Sequence, residues 1–171
     1  VFYFVRHGKT DYSEHNQKIY QGYGVNLASL AEKGKKQIKQ TAKDERLQDA
    51  DLIISSPYTR ALQSAAILSR KLNVKLEVET DLHEWLANKN YMYEEDSRAE
   101  LACAEYFSLN GDYPPGQDRN WESRQLMAER VCKVLEKYSQ YDKVIVVGHS
   151  MMIQAVTGYN PKLGEIVEFN L

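Results

Sequence analysis

Val1-Phe2-Tyr3-Phe4-Val5-Arg6-His7-Gly8-Lys9-Thr10 opens the chain. Its first five residues are β-branched or aromatic, the pattern of a strand buried on both faces. The run stops at a charged pair, and Gly8 supplies the turn. In α/β sheets, ligands bind in the crevice outside the carboxyl ends of the strands. An arginine beside a histidine at such a tip suits an anionic substrate and nucleophilic or acid–base chemistry. A surface Arg-His pair in a loop would look the same, so the weight falls on the rest of the chain.

The rest alternates. Leu52-Ile53-Ile54, within 51–55, is a second short apolar run. Ser56-Pro57 reads as an N-cap followed by proline at the first helical position. Ala61, Leu62, Ala65, Ala66, Leu68 and Leu72 continue at helical spacing. Residues 74–79 alternate as a third strand, and Trp121, Leu126, Ala128, Val131, Leu135 and Tyr138 mark another helix. Val144-Ile145-Val146-Val147 is a strand of the buried parallel kind. A short helix over 151–157 stops at Gly158 and Pro161, and 166–171 is a last strand. Strands alternating with helices predict an α/β fold, a three-layer α/β/α sandwich with a mostly parallel central sheet. The length of 171 residues predicts a single domain over 1–171.

One stretch breaks the rhythm. Residues 86–120 are irregular and rich in tyrosine, with Pro114-Pro115-Gly116 near their end. Long insertions in compact domains are functional or disordered, and this aromatic content argues against disorder. The segment reads as an inserted, partly helical cap over the strand tips. A peripheral hairpin without substrate contact is the other reading.

The net charge of −2 comes with no long basic run, which argues against nucleic acid and anionic membrane as partners. No apolar stretch approaches the ~20 residues of a membrane span. Of two cysteines, Cys132 lies among Val131, Val134 and Leu135 and reads as a buried, reduced thiol. Neither cysteine has metal-ligand spacing to a histidine. The chain opens on a strand rather than on a leader segment, and these features predict a cytoplasmic protein.

Three further strand tips carry reactive groups. Arg60 follows the second strand, in the first turn or so of a helix, where a guanidinium and backbone N–H groups could bind an anion. It would equally pass as an exposed helix arginine. Glu84 follows the third strand, beside Trp85, where a raised pKa would make it a general acid. A solvated acidic turn is the plainer reading. His149 sits between the fourth strand and a helix, a charge-stabilising candidate or a satisfied core histidine. Together these tips set two arginines, two histidines and a carboxylate at one sheet edge, with no metal cluster. That set fits phosphoryl transfer through a histidine nucleophile, where catalysis is chiefly positioning and charge stabilisation.

With these residues in view, the chain resembles the histidine phosphatase superfamily, which includes cofactor-dependent phosphoglycerate mutases and fructose-2,6-bisphosphatases. The family's Arg-His-Gly motif matches Arg6-His7-Gly8, with Thr10 at the usual Ser/Thr. Its Gln-Gly element and Leu-x-x-x-Gly match Gln21-Gly22 and Leu30 to Gly34. Its Ser-x-x-x-Arg-Ala matches Ser56 to Ala61, its Leu-x-Glu matches Leu82-His83-Glu84, and its second histidine matches His149. The resemblance implies that His7 is the nucleophile and becomes phosphohistidine. It implies a phosphate pocket of Arg6, Arg60 and His149, and Glu84 as proton donor and then base. Where the family often has Asn three residues after Thr10, this chain has Ser13, and Asn16 could take that role. Ser150 stands where the family has Gly.

The expected activity is hydrolysis of a phosphorylated small molecule, with no metal and no cofactor. Mutase-type transfer is the nearest alternative, and the end of the sequence on its last strand argues for hydrolysis. A non-catalytic phospho-ligand-binding member would not need Glu84. Substrate contacts are expected from Gln21, Gly22, Tyr23, Lys89 and Tyr91, with Lys9, Tyr12, Lys18 and Arg98 as further candidates.

Overall fold

The computed structural model describes residues 1–14 and 24–171. Five strands form one sheet: β1 (Phe2–Arg6), β2 (Leu52–Ser55), β3 (Leu76–Val78), β4 (Val144–Gly148) and β5 (Ile166–Phe169), in the order β3-β2-β4-β1-β5. β1, β2, β3 and β4 run parallel, and β5 pairs antiparallel with β1 along one edge. The apolar runs hold as strands because helices cover both faces of the sheet. The inward side chains are Phe2, Phe4, Leu52, Ile54, Val144 and Val146 on one face and Val5, Ile53, Ile145 and Val147 on the other.

The described helices are α1 (Gly24–Leu27), α2 (Glu32–Thr41), α3 (Thr59–Leu72), α4 (Asp96–Ser108), α5 (Arg124–Glu136) and α6 (Ser150–Thr157). α2 and α3 cover the second face through Ile38, Ala61, Ala65 and Leu68. α5 and α6 cover the first through Met127, Val131, Val134, Leu135, Met152 and Ile153. This is the three-layer α/β/α arrangement with a mostly parallel sheet that the alternation predicts.

The structure differs from the sequence reading in local detail: the third strand is shorter, Leu76–Val78, and the last ends at Phe169. α3 begins at Thr59 rather than at Pro57, with Tyr58 as N-cap, so Ser56 and Pro57 belong to the loop. The Ser56 hydroxyl accepts from the Tyr58 N–H at 3.2 Å but is drawn to the strand tip by His149. α5 starts at Arg124, where the Ser123 hydroxyl accepts from the Leu126 N–H, so Trp121 lies before the helix. Cys132 is half-buried rather than buried, because α5 turns its core stripe of Val131, Val134 and Leu135 away from it. Both cysteines are unpaired.

Within 86–120, α4 packs Tyr106 against Trp85 and Trp121, edge to face, and so joins the first core. The segment is anchored at its far end where the Tyr113 hydroxyl donates to the Trp121 carbonyl. No helix is long and apolar enough to cross a membrane among the described residues.

One close approach governs the first loop. Gly8 and Gly34, the latter on α2, meet backbone to backbone. A Cβ on Gly8 would lie 2.5 Å from the Gly34 carbonyl oxygen, and one on Gly34 would fall on the Lys9 carbonyl oxygen. Only glycine at both positions lets α2 sit directly behind the His7 turn.

Candidate active site

Register brings the reactive tips together. Arg6 lies opposite Gly148, and Ser55 opposite Val147, so the residues after β1, β2 and β4 emerge side by side. The ladder continues one step further, with the His7 N–H donating to the Gly148 carbonyl and the Ser56 N–H to that of Val147. Glu84 arrives from the next strand over, after a single 3-10 turn over Thr80–Leu82.

His7 is 6% exposed. Its Nδ1 lies 2.8 Å from the Gly8 carbonyl oxygen. A carbonyl only accepts, so Nδ1 carries the proton and Nε2 keeps its lone pair. Burial lowers the His7 pKa to about 3, the Gly8 carbonyl opposing the shift and the nearby Arg60 and Arg6 adding to it. The ring is neutral at pH 7. His149 is fully buried, its ring centroid 5.3 Å from that of His7 and its Nε2 2.7 Å from the Ser56 hydroxyl. Burial, then Arg60 and His7, lower its pKa well below the ordinary histidine range.

Arg60 is not the exposed helix arginine it could have been. It is 5% exposed, near the start of α3, with Nη1 donating to the Val25 carbonyl at 3.2 Å and to Asn26 Oδ1 at 3.4 Å. Its guanidinium lies 5.2 Å from the centroid of the Tyr58 ring. Arg6 donates to the Pro161 carbonyl at 2.8 Å. Arg6 Nε, Arg60 Nε and His149 Nδ1 are buried polar atoms without a partner among the described residues. Buried polar groups are ordinarily satisfied, and three orphans in one place mark a site shaped for something else. Arg6, His7, Thr10, Tyr12, Arg60, Glu84 and Ser150 line one cavity of about 390 Å³.

Glu84 sits at the N-terminus of α6. Its Oε1 accepts from the N–H groups of Trp85 and Met152 at 2.9 and 3.1 Å, and its Oε2 from that of Met151 at 3.2 Å. Burial raises its pKa; these backbone donors and Arg60 work against the rise. His83, the neighbouring group that could have served as an acid, has both ring nitrogens engaged. Nδ1 donates to the Glu84 carbonyl at 2.7 Å and Nε2 lies 3.1 Å from the Tyr91 hydroxyl.

The remaining expected residues divide. Tyr91 lines a second cavity that shares Arg60 and Glu84 with the first. Lys89 does not face it: its Nζ is 2.5 Å from Asp118 and lies over the Tyr113 ring. Ser13 is exposed on the loop after Thr10, with its N–H donating to Asp11, and is not in the wall of the His7 cavity. Asn16, Gln21, Gly22 and Tyr23, with Lys18, lie outside the described residues.

The sequence reading missed two supports. Arg130 on α5 forms a buried bidentate pair with Glu122, at 2.5 and 3.0 Å. Its other donors reach the carbonyls of Asp81 and Glu84, while Glu122 Oε2 accepts from the Leu86 N–H. The pair thereby grips both sides of Glu84. Ser64 on α3 is the second: its hydroxyl accepts from the Gly8 N–H at 3.1 Å and donates to the Arg60 carbonyl at 2.8 Å. An Arg and a Glu eight residues apart gave no signal, because the Trp121–Ser123 stretch reads as helix. Ser64 reads only as a small residue on a helix.

No three His, Cys, Asp or Glu side chains group as metal ligands among the described residues. Residues 2–164 match the histidine phosphatase superfamily, branch 1. The chain belongs to that superfamily. This histidine phosphatase superfamily member superposes on mycobacterial glucosyl-3-phosphoglycerate phosphatase with a TM-score of 0.65, at 23% identity over 92% of this chain and 77% of that one. It superposes on the alpha-ribazole phosphatase of Shigella flexneri with a TM-score of 0.59, at 21% identity over 90% and 75% of the two chains. Among curated proteins it is 28% identical to agropine synthesis reductase of Rhizobium rhizogenes over 162 residues. That match takes in 91% of this chain and 34% of the relative, so the chain spans about a third of that protein's length.

Proposed function

We propose that the protein is a metal-independent phosphomonoesterase that hydrolyses a phosphorylated small molecule through a phosphohistidine on His7. The observation that carries the reading is the state of His7: a neutral ring, its Nδ1 proton fixed on the Gly8 carbonyl, in a cavity walled by Arg6, Arg60 and Glu84.

In the first step, the Nε2 lone pair attacks phosphorus and the bond to the ester oxygen breaks. Glu84, whose pKa burial raises, gives its proton to that leaving oxygen. Arg6, Arg60 and His149 offer N–H groups to the phosphoryl oxygens, answering the three orphaned nitrogens. In the second step, water attacks phosphorus, the Glu84 carboxylate takes its proton, and the N–P bond breaks. Inorganic phosphate leaves and Nε2 regains its lone pair. Substrate contacts beyond the phosphoryl group come from Tyr91 and from the Gln21-Gly22-Tyr23 stretch. The domain is the whole of 1–171 with 86–120 as its cap, and two unpaired thiols fit a reducing, cytoplasmic setting.

The test is turnover in excess EDTA, with acid quenching avoided and base-stable protein-bound phosphate measured. Wild type should release inorganic phosphate and yield a trapped phosphohistidine, and His7→Ala should do neither. Full activity in His7→Ala, or loss of wild-type activity in EDTA, would overturn the reading.

A further inference from the structure

We infer that the cavity beneath the cap selects phosphomonoesters whose leaving alcohol is rich in hydrogen-bond donors and carries no negative charge. The inference rests on the hydrolytic reading above. Two cavities meet at Arg60 and Glu84. One contains His7, and the other, of about 370 Å³, runs under the first part of the cap to the start of α4. The phosphoryl group belongs with His7. Glu84, as donor to the ester oxygen, stands at the junction, so the alcohol extends into the second cavity.

The walls of that cavity combine carboxylates and ring faces. Glu94 and Asp96 bring the carboxylates and Trp85 and Tyr91 are among the rings, while Asn26 Oδ1 already accepts from Arg60 and Asn88 Oδ1 from the Asn90 N–H. Glu94 is oriented by Asn88, whose Nδ2 donates to Oε1 at 3.0 Å. Among the described residues Arg60 is the one cation in the lining. It is shared with the phosphoryl side and buried, and its Nε lacks a partner among the described residues. Of the cap's other cations, Lys89 is bound to Asp118 outside the lining, and Arg98 lines an adjoining cavity that shares Ala87 and Glu94 with this one. A carboxylate or second phosphate on the alcohol would meet Glu94 and Asp96, and among the described lining residues the one cation, Arg60, is engaged by the phosphoryl group. Like charges along the wall disfavour such a ligand, and because Asp96 is exposed the repulsion is screened by salt. Hydroxyls and an ammonium group both satisfy the acceptors, and the ring faces suit the C–H surface of a polyol or the cation itself.

The experiment compares kcat/KM for three esters in EDTA. Glycerol 3-phosphate and 3-phosphoglycerate share a carbon skeleton and differ in a hydroxymethyl against a carboxylate. Phosphoethanolamine carries the ammonium. Glycerol 3-phosphate and phosphoethanolamine should each exceed 3-phosphoglycerate by about tenfold or more at low ionic strength, and the gap should narrow in high salt. Whichever of the two leads identifies the donor, hydroxyl or ammonium. In the Glu94→Gln/Asp96→Asn double variant the glycerol 3-phosphate to 3-phosphoglycerate ratio should fall to within about threefold. The ratio is taken within each protein, so a general loss of activity cancels, and a thermal melt checks folding. A wild-type ratio near one, or a ratio unmoved in the double variant, overturns the inference. Turnover of p-nitrophenyl phosphate separates the two levels: silence on it and on every ester overturns the hydrolytic reading itself, whereas turnover with a ratio near one overturns only the selectivity.

Discussion

Glu84 combines two opposed influences on one carboxyl group. Burial favours the acid, and three backbone donors favour the carboxylate. A group balanced in this way can serve as acid in one step and base in the next. General acid catalysis contributes about 10²–10⁴ in rate, and its share depends on the leaving group. Glu84→Gln should therefore slow hydrolysis of an alkyl phosphate by about that factor and of p-nitrophenyl phosphate far less. Equal losses on both substrates would make Glu84 a positioning group. The pH profile carries the same signature. His7 is in its neutral form above about pH 3, so the acid limb of the profile lies low. Loss of the Glu84 proton sets the alkaline limb, displaced above the ordinary carboxyl range, and Glu84→Gln should erase that limb. The reactive residues were legible in the sequence because each sits at the end of an apolar run, and a strand tip has a known address in an α/β sheet. What the sequence could not convey is side-chain direction. Lys89 and Tyr91 look alike as cap residues, yet Asp118 draws Lys89 away while His83 holds Tyr91 at the cavity.

At the scale of elements, the parallel ladder and the loop after β3 do different work. β1, β2 and β4 fix their tips by register, but Glu84 lies six residues past the end of a three-residue strand and needs another anchor. Arg130 and Glu122 provide it from α5 and its approach. Removing one member of a buried pair leaves an uncompensated charge, at a cost of about 3–5 kcal/mol. Arg130→Met should lower stability by that order in urea denaturation, and the folded fraction should show the same leaving-group dependence as Glu84→Gln. A variant that loses stability but treats both leaving groups equally would show that the pair supports only the fold. This device was invisible in the sequence for a physical reason. Its parts come from three segments that meet only after the sheet and α5 have packed, and no local periodicity encodes such a meeting. α2 and α4 were likewise harder to read than the strands. α2 is mostly lysine and glutamine with few apolar positions, and α4 buries little beyond Tyr106.

For the molecule as a whole, three buried histidines tie stability to pH. His7, His83 and His149 have folded-state pKa values below their unfolded value of 6.5. Below pH 6.5 the unfolded chain binds protons that the folded one refuses, so stability present above that point is lost as pH falls toward 3. Each histidine contributes a slope of up to about 1.4 kcal/mol per pH unit in this window. Glu84 acts in the opposite sense, since its raised pKa favours the protonated folded form above the ordinary carboxyl value of 4.5. Denaturation free energies should be flat from pH 8 to 7 and fall between 6.5 and 5. The fall should be shallower in His149→Gln, and an identical slope in that variant would remove His149 from the account.

The Gly8–Gly34 contact has a consequence for heredity. A gene for this protein can be silenced at a codon that specifies no reactive atom. Gly34→Ala keeps every acid, base and cation, yet its methyl group would strike the Lys9 backbone and displace the turn that carries His7. A library of random mutants screened for lost turnover should return Gly34 substitutions alongside those at His7, as folded proteins. Their absence from such a screen would mean that the loop yields where the packing says it cannot.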